Sequence, residues 1–494
     1  MTKLASMMAG QNDGMAKGIP PMYPHQEFSR DFYVKAFLQP DPHDRATVNL
    51  SKCGTGKTRG FIEFVKELRR HGLNNKVLVL APLTILEPSW GDDIDSFTPE
   101  LTYSVCYAKN RAKSFEKDAD IYLLNHDAVQ YLVQNKQLLH RFGANPILCI
   151  DEVTAYKNAS STRATNTLWL RQFFYYCVVM SGTLGSQLLI DYHQPLFICD
   201  GGKRLGDMFE KFKSEHMKEE ILRDKYGRPT KGKRYSEIKG AREKVYEAIR
   251  DITIRFDEDM APINHKRHVY VELPPAAKKA YTSMCEQDFM LNEDGTPITA
   301  ANAAVKLGKL LQLCSGNVYN ENGEVVSFHK ERIELVCDLA LEAEQAIIAF
   351  NFTHERDAVF KTLLAKGVPI DEVAYIDGSV PIGKRPAIVR DFQAGIIKYA
   401  ILHPKSCAHG LTFTAGRRTI WTSPPMSSES FIQLNHRIDR AGQKHETETI
   451  TVCSKGTKEA AFYRLLFARL DNLYELLGLF AGETRKRVKK GLQA

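Results

Sequence analysis

The sequence contains no Cys-x-x-Cys pair, although ten cysteines are scattered along its 494 residues. Zinc modules and disulfide frameworks need closely spaced or paired cysteines, so we expect reduced thiols in a cytoplasm instead. No apolar run approaches the roughly 20 residues that cross a bilayer, so no membrane partner is expected. Residues 1–20 lack the apolar core of a signal peptide, and we expect a loosely ordered tail there.

The length and charge of the chain set further bounds. A chain of 494 residues is too long for one ordinary hydrophobic core, so two or three domains are expected. A hydrophobic content of 43% with 26% charged residues is typical of a soluble globular protein. The formal net charge of +8 mildly favours a polyanionic partner, because basic surfaces attract phosphate backbones.

The most informative stretch is Leu50–Thr58, which reads L-S-K-C-G-T-G-K-T. A strand-like run precedes it, and apolar residues at helical spacing follow it. A strand, a glycine-bearing turn and a helix start form the geometry of a phosphate-binding loop, with backbone N–H groups facing the anion. Lys57 can then reach the β- and γ-phosphates of a nucleotide, and the Thr58 hydroxyl can hold Mg²⁺.

One position departs from the strict form of this loop. Ser51 stands where the pattern G-x-x-x-x-G-K-[ST] has its first glycine. The alternative interpretation is therefore an ordinary turn with a solvated lysine, and the rest of the chain has to decide.

Four short apolar runs follow the loop, at 77–81, 121–124, 147–150 and 176–180. Runs this short and continuous predict strands that are covered on both faces of a parallel sheet. Each run ends in polar or small residues, and ligands bind off the carboxyl ends of such strands. We therefore predict a nucleotide-binding α/β lobe over residues 21–200.

A carboxylate pair, Asp151 and Glu152, follows the third of these runs. Carboxylates at the end of a buried strand are costly unless they meet a cation or water. With a phosphate loop upstream, Asp151 would hold Mg²⁺, and Glu152 would orient and deprotonate the attacking water. The alternative is an acid that caps the next helix.

The pattern changes over residues 201–264. Lys203 to Arg250 holds 15 basic and 9 acidic residues, including a turn-rich basic run at 223–234. We predict a mostly helical insertion or linker with a flexible loop. This loop could face DNA or could simply be a solvated charged surface.

A second α/β unit is predicted over residues 265–480, with strands at 346–350, 374–376, 399–402 and 419–421. It has no phosphate loop of its own. Arg437 and Arg440 are three residues apart and would share a face of a helix, where they could grip a γ-phosphate. The alternative is a surface helix whose arginines pair with acids. Residues 481–494 are predicted to form a solvated basic tail that could touch nucleic acid.

Taken in order, these motifs resemble the core of the superfamily 2 helicases, and more closely their SWI/SNF-type branch of double-strand DNA translocases. The resemblance covers residues 21 to 470. The matching segments are Tyr23–Gln26 (the glutamine element that reads adenine), Gly54–Thr58 (motif I), Ala81–Thr84 (Ia), Asp151-Glu152 with Tyr156–Asn158 (II), Ser181–Thr183 (III), Phe350–Phe352 (IV), Ala408–Ala415 (V) and Gln433–Gln443 (VI).

The resemblance implies an α/β fold of two RecA-like lobes, each a mainly parallel sheet flanked by helices, with the helical basic insertion between them. ATP and Mg²⁺ would bind between the lobes. The implied residues are, for catalysis, Lys57, Glu152, Arg437 and Arg440; for ATP, Gln26, Gly54, Thr55, Gly56, Lys57, Thr58, Gly410 and Gln433; for Mg²⁺, Thr58 and Asp151; and for nucleic acid, Pro82, Thr84 and Asn125.

The implied function is that of an ATP-dependent motor that moves on or remodels mainly double-stranded DNA through backbone contacts. A nuclease or a replication or recombination protein is a candidate partner. The compact form is similar to versions carried by bacteriophages, which would place the protein in a host cytoplasm. The alternatives are a strand-separating DNA or RNA helicase and a non-catalytic nucleic-acid-binding scaffold.

Three positions depart from the pattern of this branch. Thr154 replaces the motif II histidine that usually couples ATP to the other motifs, Leu184 ends motif III, and His436 replaces an aspartate in motif VI. None of these changes removes a catalytic group. Hydrolysis is therefore expected to survive, and the coupling between motifs is the property that the changes affect.

Overall fold

The computed structural model describes residues 19–184, 188–223, 228–257, 262–287, 289–291, 297–299, 303–407, 411–425, 427–440 and 442–491. The first part of the chain forms α1 (Pro24–Phe37), β1 (Ala46–Asn49), α2 (Lys57–Arg70), β2 (Val77–Ala81), α3 (Asp92–Phe97), β3 (Tyr103–Val105), α4 (Arg111–Glu116), β4 (Ile121–Asn125), α5 (Val129–Gln134), β5 (Ile147–Asp151), α6 (Thr162–Arg171), β6 (Tyr176–Met180), α7 (His193–Asp200), α8 (Phe209–His216), β7 (Met217–Arg223), β8 (Pro229–Glu237), α9 (Ala241–Ile249) and β9 (Thr253–Ile254).

The second part forms β10 (Asn264–Val271), α10 (Pro275–Gln287), β11 (Phe289–Leu291), β12 (Pro297–Thr299), α11 (Ala303–Cys314), β13 (Asn317–Tyr319), β14 (Val325–Ser327), α12 (Glu331–Leu341), β15 (Ala346–Ala349), α13 (Thr353–Ala365), β16 (Val373–Ile376), α14 (Arg385–Gln393), β17 (Tyr399–Leu402), β18 (Arg418–Trp421), α15 (Ser428–Asn435), β19 (Thr447–Ser454) and α16 (Glu459–Gly491). No helix in the ranges described above is long and apolar enough to cross a membrane.

The first lobe is built on a seven-stranded parallel sheet with the order β3-β4-β2-β5-β6-β1-β9. Its central strands are buried on both faces, because helices cover each side and the side chains of each face join a separate hydrophobic cluster. This arrangement explains why these strands appear in the sequence as continuous apolar runs rather than alternating ones. The predicted strands at 77–81, 121–124, 147–150 and 176–180 are confirmed.

The second lobe has a six-stranded parallel sheet with the order β10-β19-β18-β15-β17-β16. Two hydrophobic clusters again cover its two faces. The helices α10 and α11 and the β13–β14 hairpin share a smaller cluster beside this sheet. The predicted fold class, two mainly parallel sheets flanked by helices, is therefore confirmed.

The segment between the lobes differs from the mostly helical prediction. It contains α8 and α9, but Met217–Arg223 and Pro229–Glu237 pair as an antiparallel hairpin. Strand β9 then joins the sheet of the first lobe beside β1. The local sequence is rich in charge and has no strand alternation, so the pairing of the two strands overrides its weak local preference.

The predicted solvated basic tail at 481–494 is not a separate segment, because residues 481–491 form the last turns of α16. This helix packs Tyr463, Leu466 and Leu470 into the second lobe's core. Further along, a second group of its side chains, which includes Leu476 and Phe480, enters the first lobe's core. One helix therefore contributes to both hydrophobic cores. Residues 1–18 of the loose tail predicted at 1–20, and residues 492–494, lie outside the described ranges.

Candidate active site between the two lobes

The loop after β1 has the backbone geometry of an anion-binding turn. It ends at Gly56, whose φ of 76° lies in the left-handed region, and α2 begins at the next residue. A Cβ atom on Gly56 would lie 2.2 Å from Nε2 of Gln26. Glycine therefore suits this position, and the first N–H groups of α2, which have no acceptor within the helix, directly follow it.

Lys57 folds back over this loop. Its Nζ donates to the carbonyl oxygens of Ser51 at 2.9 Å and Lys52 at 3.4 Å. The ammonium group therefore lies inside the curve of the loop, where a bound phosphate would compete for it. The role of Lys57 toward the phosphates stays a prediction.

Ser51 has a role that explains why it can replace the first glycine of the loop. Its hydroxyl accepts a hydrogen bond from the backbone N–H of Phe256 at 3.2 Å. Leu50 and Lys52 donate to carbonyls of the same segment, at Ile254 and Phe256. The segment that follows β9 thus braces the loop from one side.

Gln26, at the start of α1, also contacts the loop. Its Oε1 accepts from the backbone N–H of Tyr23 at 3.0 Å, and its Nε2 points to the carbonyl oxygen of Thr55 at 3.4 Å. The neighbouring His25 also bonds the Thr55 carbonyl, at 2.7 Å. The structure brings Gln26 and the loop together, and adenine recognition by Gln26 stays a prediction.

Asp151 ends β5 and is partly buried. Its Oδ2 accepts from the indole N–H of Trp90 at 3.0 Å, and its Oδ1 accepts from the backbone N–H of Glu152. Thr58 lies in the first turn of α2. A carboxylate and a hydroxyl are the hard oxygen donors that Mg²⁺ prefers, so this pair fits the predicted metal site chemically.

Glu152 has an unusual backbone. Its φ is 56°, and the only other non-glycine residue with positive φ in the described ranges is Asn145. Glutamate in the left-handed region is strained, and such strain persists only where neighbouring structure enforces it. In this conformation the Glu152 side chain contacts Gln433 of the second lobe.

The side chain of Glu152 is held through one oxygen. Its Oε1 lies within hydrogen-bonding distance of Thr154 Oγ1 at 3.2 Å, Ser181 Oγ at 3.1 Å and Gln433 Nε2 at 3.0 Å. Among the described residues, the side-chain hydrogen bonds of Glu152 all reach Oε1, so Oε2 is the oxygen that can meet a water. Burial and the neighbouring Glu429 raise the pKa of Glu152, whereas Lys57 lowers it.

The second lobe therefore reaches the first lobe at Glu152. Gln433 lies in α15, and in the same helix Glu429 accepts a hydrogen bond from the Thr154 hydroxyl at 2.8 Å. Lys157 Nζ lies 3.6 Å from the other oxygen of Glu429. Gln433, which was predicted to contact ATP, donates a hydrogen bond to the candidate base Glu152.

The prediction that Arg437 and Arg440 share a helix face is wrong, because α15 ends at Asn435 and both arginines lie in the turns that follow. Arg437 donates to the carbonyls of Gln433 and Leu411, and Arg440 donates to the Thr412 hydroxyl at 3.0 Å. These contacts lie within the second lobe and fix both guanidinium groups there.

Groups of the first lobe influence the pKa values of both arginines. Burial lowers the pKa of Arg437, whereas Cys53 of the phosphate loop and Glu152 raise it. Burial and Arg437 lower the pKa of Arg440, whereas Cys53 and Asp93 raise it. Both cations therefore lie near groups of the first lobe, as a nucleotide bound between the lobes would require.

A cavity of about 500 Å³ continues from the loop along this interface. Lys52 and Cys53 line it from the first lobe, and Asn435 and His436 line it from the second. Burial lowers the pKa of His436 to about 4, and Lys52 adds to this effect. His436 is therefore neutral at pH 7 and adds no positive charge beside Lys52.

The predicted nucleic-acid residues lie at or just after the carboxyl ends of two neighbouring strands of the first sheet. Pro82 and Thr84 follow β2, and Asn125 ends the adjacent β4, where it pairs with Ala81. All three are partly exposed. Gly410, predicted to contact ATP, lies outside the described ranges.

Three residues of this site were not predicted from the sequence. Trp90 bonds Asp151 from 61 positions upstream, and Glu429 bonds Thr154 from 275 positions downstream. Arg255 donates to the carbonyls of Leu50 and Gly182 and so connects the segment after β9 to the loop and to motif III. Trp90 lies nine residues beyond the end of β2, and the contacts of all three residues join distant parts of the chain.

Two family models match the chain. Residues 21–183 match the model described as type III restriction enzyme, res subunit, and residues 331–445 match the helicase conserved C-terminal domain. The first match contains the phosphate loop and the Asp151-Glu152 pair, and the second contains Gln433, Arg437 and Arg440. The matches therefore fall on the two sides of the site.

The individual relatives have low sequence identity to this chain. Protein p41 of Acyrthosiphon pisum secondary endosymbiont phage 1 is 25% identical over 403 residues, covering 78% of this chain and 83% of the relative. YwqA of Bacillus subtilis (strain 168), provisionally named an ATP-dependent helicase/translocase, is 23% identical, covering 82% of this chain and 44% of YwqA. The Sulfolobus solfataricus SWI2/SNF2 ATPase core in complex with dsDNA has a TM-score of 0.41 and 18% identity, covering 96% of this chain and 97% of that one.

Proposed function

Because this chain is a superfamily 2 helicase-like, nucleic-acid-dependent ATPase, we propose that it is a motor that hydrolyses ATP between its lobes to move on or remodel double-stranded DNA. The observation that carries this proposal is the hydrogen bond from Gln433 Nε2 to Glu152 Oε1, at 3.0 Å. It ties the candidate base in one lobe to the other lobe. A change in lobe position would therefore change the site where the water is activated.

The proposed chemistry is in-line attack of water on the γ-phosphorus of ATP, with ADP as the leaving group. Lys57 would neutralise charge on the β- and γ-phosphates. Glu152 would orient the attacking water and accept its proton at Oε2, since Oε1 is held by neighbouring groups. Arg437 and Arg440 would stabilise the charge that develops on the γ-phosphate.

The metal in this proposal is Mg²⁺, held by Thr58 and by Asp151. When bound, it would neutralise charge on the phosphate oxygens. The indole N–H of Trp90 orients the Asp151 carboxylate from behind.

The proposed DNA path crosses the carboxyl ends of the strands in both lobes. In the first lobe it includes Pro82, Thr84 and Asn125. In the second lobe a cavity of about 570 Å³ opens beside the ends of β15, β16 and β17, and Asn351 and the exposed Lys405 line it. Contacts at such positions would reach phosphates more than base edges, so affinity would depend little on sequence.

A strand-separating helicase is the second candidate, and the β7–β8 hairpin is the observation that favours it. Its two strands, Met217–Arg223 and Pro229–Glu237, pair antiparallel in the segment between the lobes. A hairpin of this kind could act as the wedge that strand separation needs. A fork-unwinding assay beside a triplex-displacement assay separates the two candidates, because a translocase displaces the triplex strand without opening the fork.

The experiment that tests the main proposal is an ATPase assay with double-stranded DNA, single-stranded DNA and RNA as separate stimulants. Double-stranded DNA should stimulate most, and its affinity should fall log-linearly with salt concentration. Lys57→Ala is the control for the site and should abolish turnover. Equal turnover in this variant would contradict the nucleotide site, and a flat salt response would contradict a backbone-tracking motor.

A further inference from the structure

The Thr154 hydroxyl lies between two carboxylates that belong to different lobes. Its Oγ1 is 2.8 Å from Oε1 of Glu429 and 3.2 Å from Oε1 of Glu152. A hydroxyl has one proton, so it can donate to only one of these oxygens at a time. The shorter contact is the one to Glu429, in the second lobe.

Gln433 faces the same pair of carboxylates. Its Nε2 is 3.0 Å from Oε1 of Glu152 and 3.3 Å from Oε1 of Glu429. An amide has two N–H groups and can serve both oxygens, unlike the Thr154 hydroxyl. Gln433 can therefore donate to both carboxylates, whereas Thr154 can donate to only one of them at a time.

Glu429 is fixed to the second lobe rather than to a loose loop. It lies in the first turn of α15, and the Ser427 side chain caps this helix by accepting from the N–H of Ser430 at 3.1 Å. A carboxylate in the first turn of a helix is stabilised by the helix dipole. The position of the Glu429 carboxylate therefore follows the position of the second lobe.

From this arrangement we propose that Glu429 is a positioning residue, which makes the orientation of Glu152 depend on the second lobe through the Thr154 hydroxyl. With the second lobe in place, the Thr154 hydroxyl donates its hydrogen bond to Glu429. When that lobe moves away, the Thr154 hydroxyl donates to Glu152 instead, and the Glu152 side chain reorients. The inference rests on the proposed role of Glu152 as the base.

Thr154 departs from the family pattern, and its contact with Glu429 would give it a role. Thr154 stands where the related motif II has a histidine that couples ATP to the other motifs. A threonine is too short to reach far across an interface. The Glu429 side chain extends toward Thr154 from the other side, so the Thr154–Glu429 pair spans the gap between the lobes.

The test compares DNA-stimulated turnover in four forms of the full chain: wild type, Glu429→Gln, Thr154→Val and the double variant. Each single variant should lower kcat about tenfold, a size typical of residues in contact that act as a unit. The KM for ATP and the melting temperature should stay near wild type. The double variant should lose no more than either single variant, because both changes break the same connection.

Two further variants sharpen the result. Thr154→Ser keeps the hydroxyl and should retain most of the turnover. Glu344→Gln removes an equally charged but exposed side chain of the second lobe, 77% accessible, and should behave as wild type. Losses that multiply in the double variant, or full turnover in Glu429→Gln, would overturn the proposal.

Glu152→Gln separates this inference from the proposed function. If Glu152→Gln stops turnover while Glu429→Gln is fully active, the role of Glu152 stands and only the role of Glu429 is wrong. If Glu152→Gln is as active as wild type, both proposals are overturned.

Discussion

Gln433 Nε2 lies 3.0 Å from Oε1 of Glu152, although 281 residues separate the two positions along the chain. The donor belongs to α15 and the acceptor follows β5, so the contact joins the two lobes at the group proposed to activate water. Sequence motifs mark both residues, but only the fold brings them together.

Replacing Glu152 with glutamine should stop turnover while ATP binding is kept. The amide preserves the size of the side chain but cannot take a proton from water. Steady-state hydrolysis should fall by at least about 10²-fold, the typical contribution of a general base. Fluorescent nucleotide titration should give an affinity within tenfold of wild type, and a larger loss would make Glu152 a structural residue.

Replacing Arg440 with alanine should reduce kcat far more than it reduces ATP affinity, by roughly 10³-fold or more for an arginine that acts on the transferred phosphoryl group. Arg440→Lys should also be impaired, because lysine keeps the charge and loses the planar fork. Arg390, whose side chain is 76% exposed on α14, offers a control, and Arg390→Ala should be fully active. Full DNA-stimulated turnover in Arg440→Lys would remove Arg440 from the site.

Trp90→Phe should raise the Mg²⁺ concentration needed for half-maximal ATPase activity by about tenfold, because Asp151 loses the donor that orients it. Trp421→Phe is a matched control. Trp421 is also fully buried, and its N–H bonds Asn435 at 3.1 Å in the second lobe. Both variants should lose thermal stability, but only Trp90→Phe should change the Mg²⁺ requirement. An equal shift in both would assign the effect to packing.

Asp93→Asn should stabilise the protein at pH 8, and the gain should shrink as the pH falls toward 4. Burial raises the pKa of Asp93 to about 6, from an ordinary value of 3.8. The folded state therefore binds this proton more tightly than the unfolded state, so ionised Asp93 reduces stability at neutral pH and the reduction disappears in acid. At about 1.4 kcal/mol per pKa unit, the gain is roughly 2–3 kcal/mol. Denaturant melts at several pH values measure it, and a pH-independent gain would contradict this origin.

Glu459→Gln should destabilise the fold by about 3–5 kcal/mol, because it leaves the buried guanidinium of Arg332 without its counter-charge. Both side chains of this pair are 0% exposed, and Glu459 Oε1 accepts from Arg332 at 2.8 Å. Chemical denaturation measures the loss. The exposed pair of Lys455 and Glu272 is the control, and Glu272→Gln should leave the melting temperature unchanged.

The sequence predicted the parts of this protein that depend on local chemistry. A buried parallel strand needs a short apolar run, and a phosphate loop needs glycine at the position of Gly56, so both leave marks in the sequence. The Asp151-Glu152 pair was recognisable because two acids after an apolar run need an explanation. The order of these motifs then predicted two lobes.

The remaining features depend on contacts between distant positions. Nothing near Glu429 predicts that it meets Thr154, and the β7–β8 hairpin forms from a charged sequence without strand alternation. Arg437 and Arg440 have helical spacing, yet α15 ends two residues before Arg437. In each case tertiary packing decided the structure against, or without, the local pattern.

Helix α16 has a consequence for how the protein unfolds. Its first half belongs to one hydrophobic core and its second half to the other. Melting either lobe would strip half of this helix of its packing, and helices in water draw most of their stability from packing. The two lobes are thus thermodynamically linked, so heating should give a single cooperative transition, and a cut within α16 should split it into two.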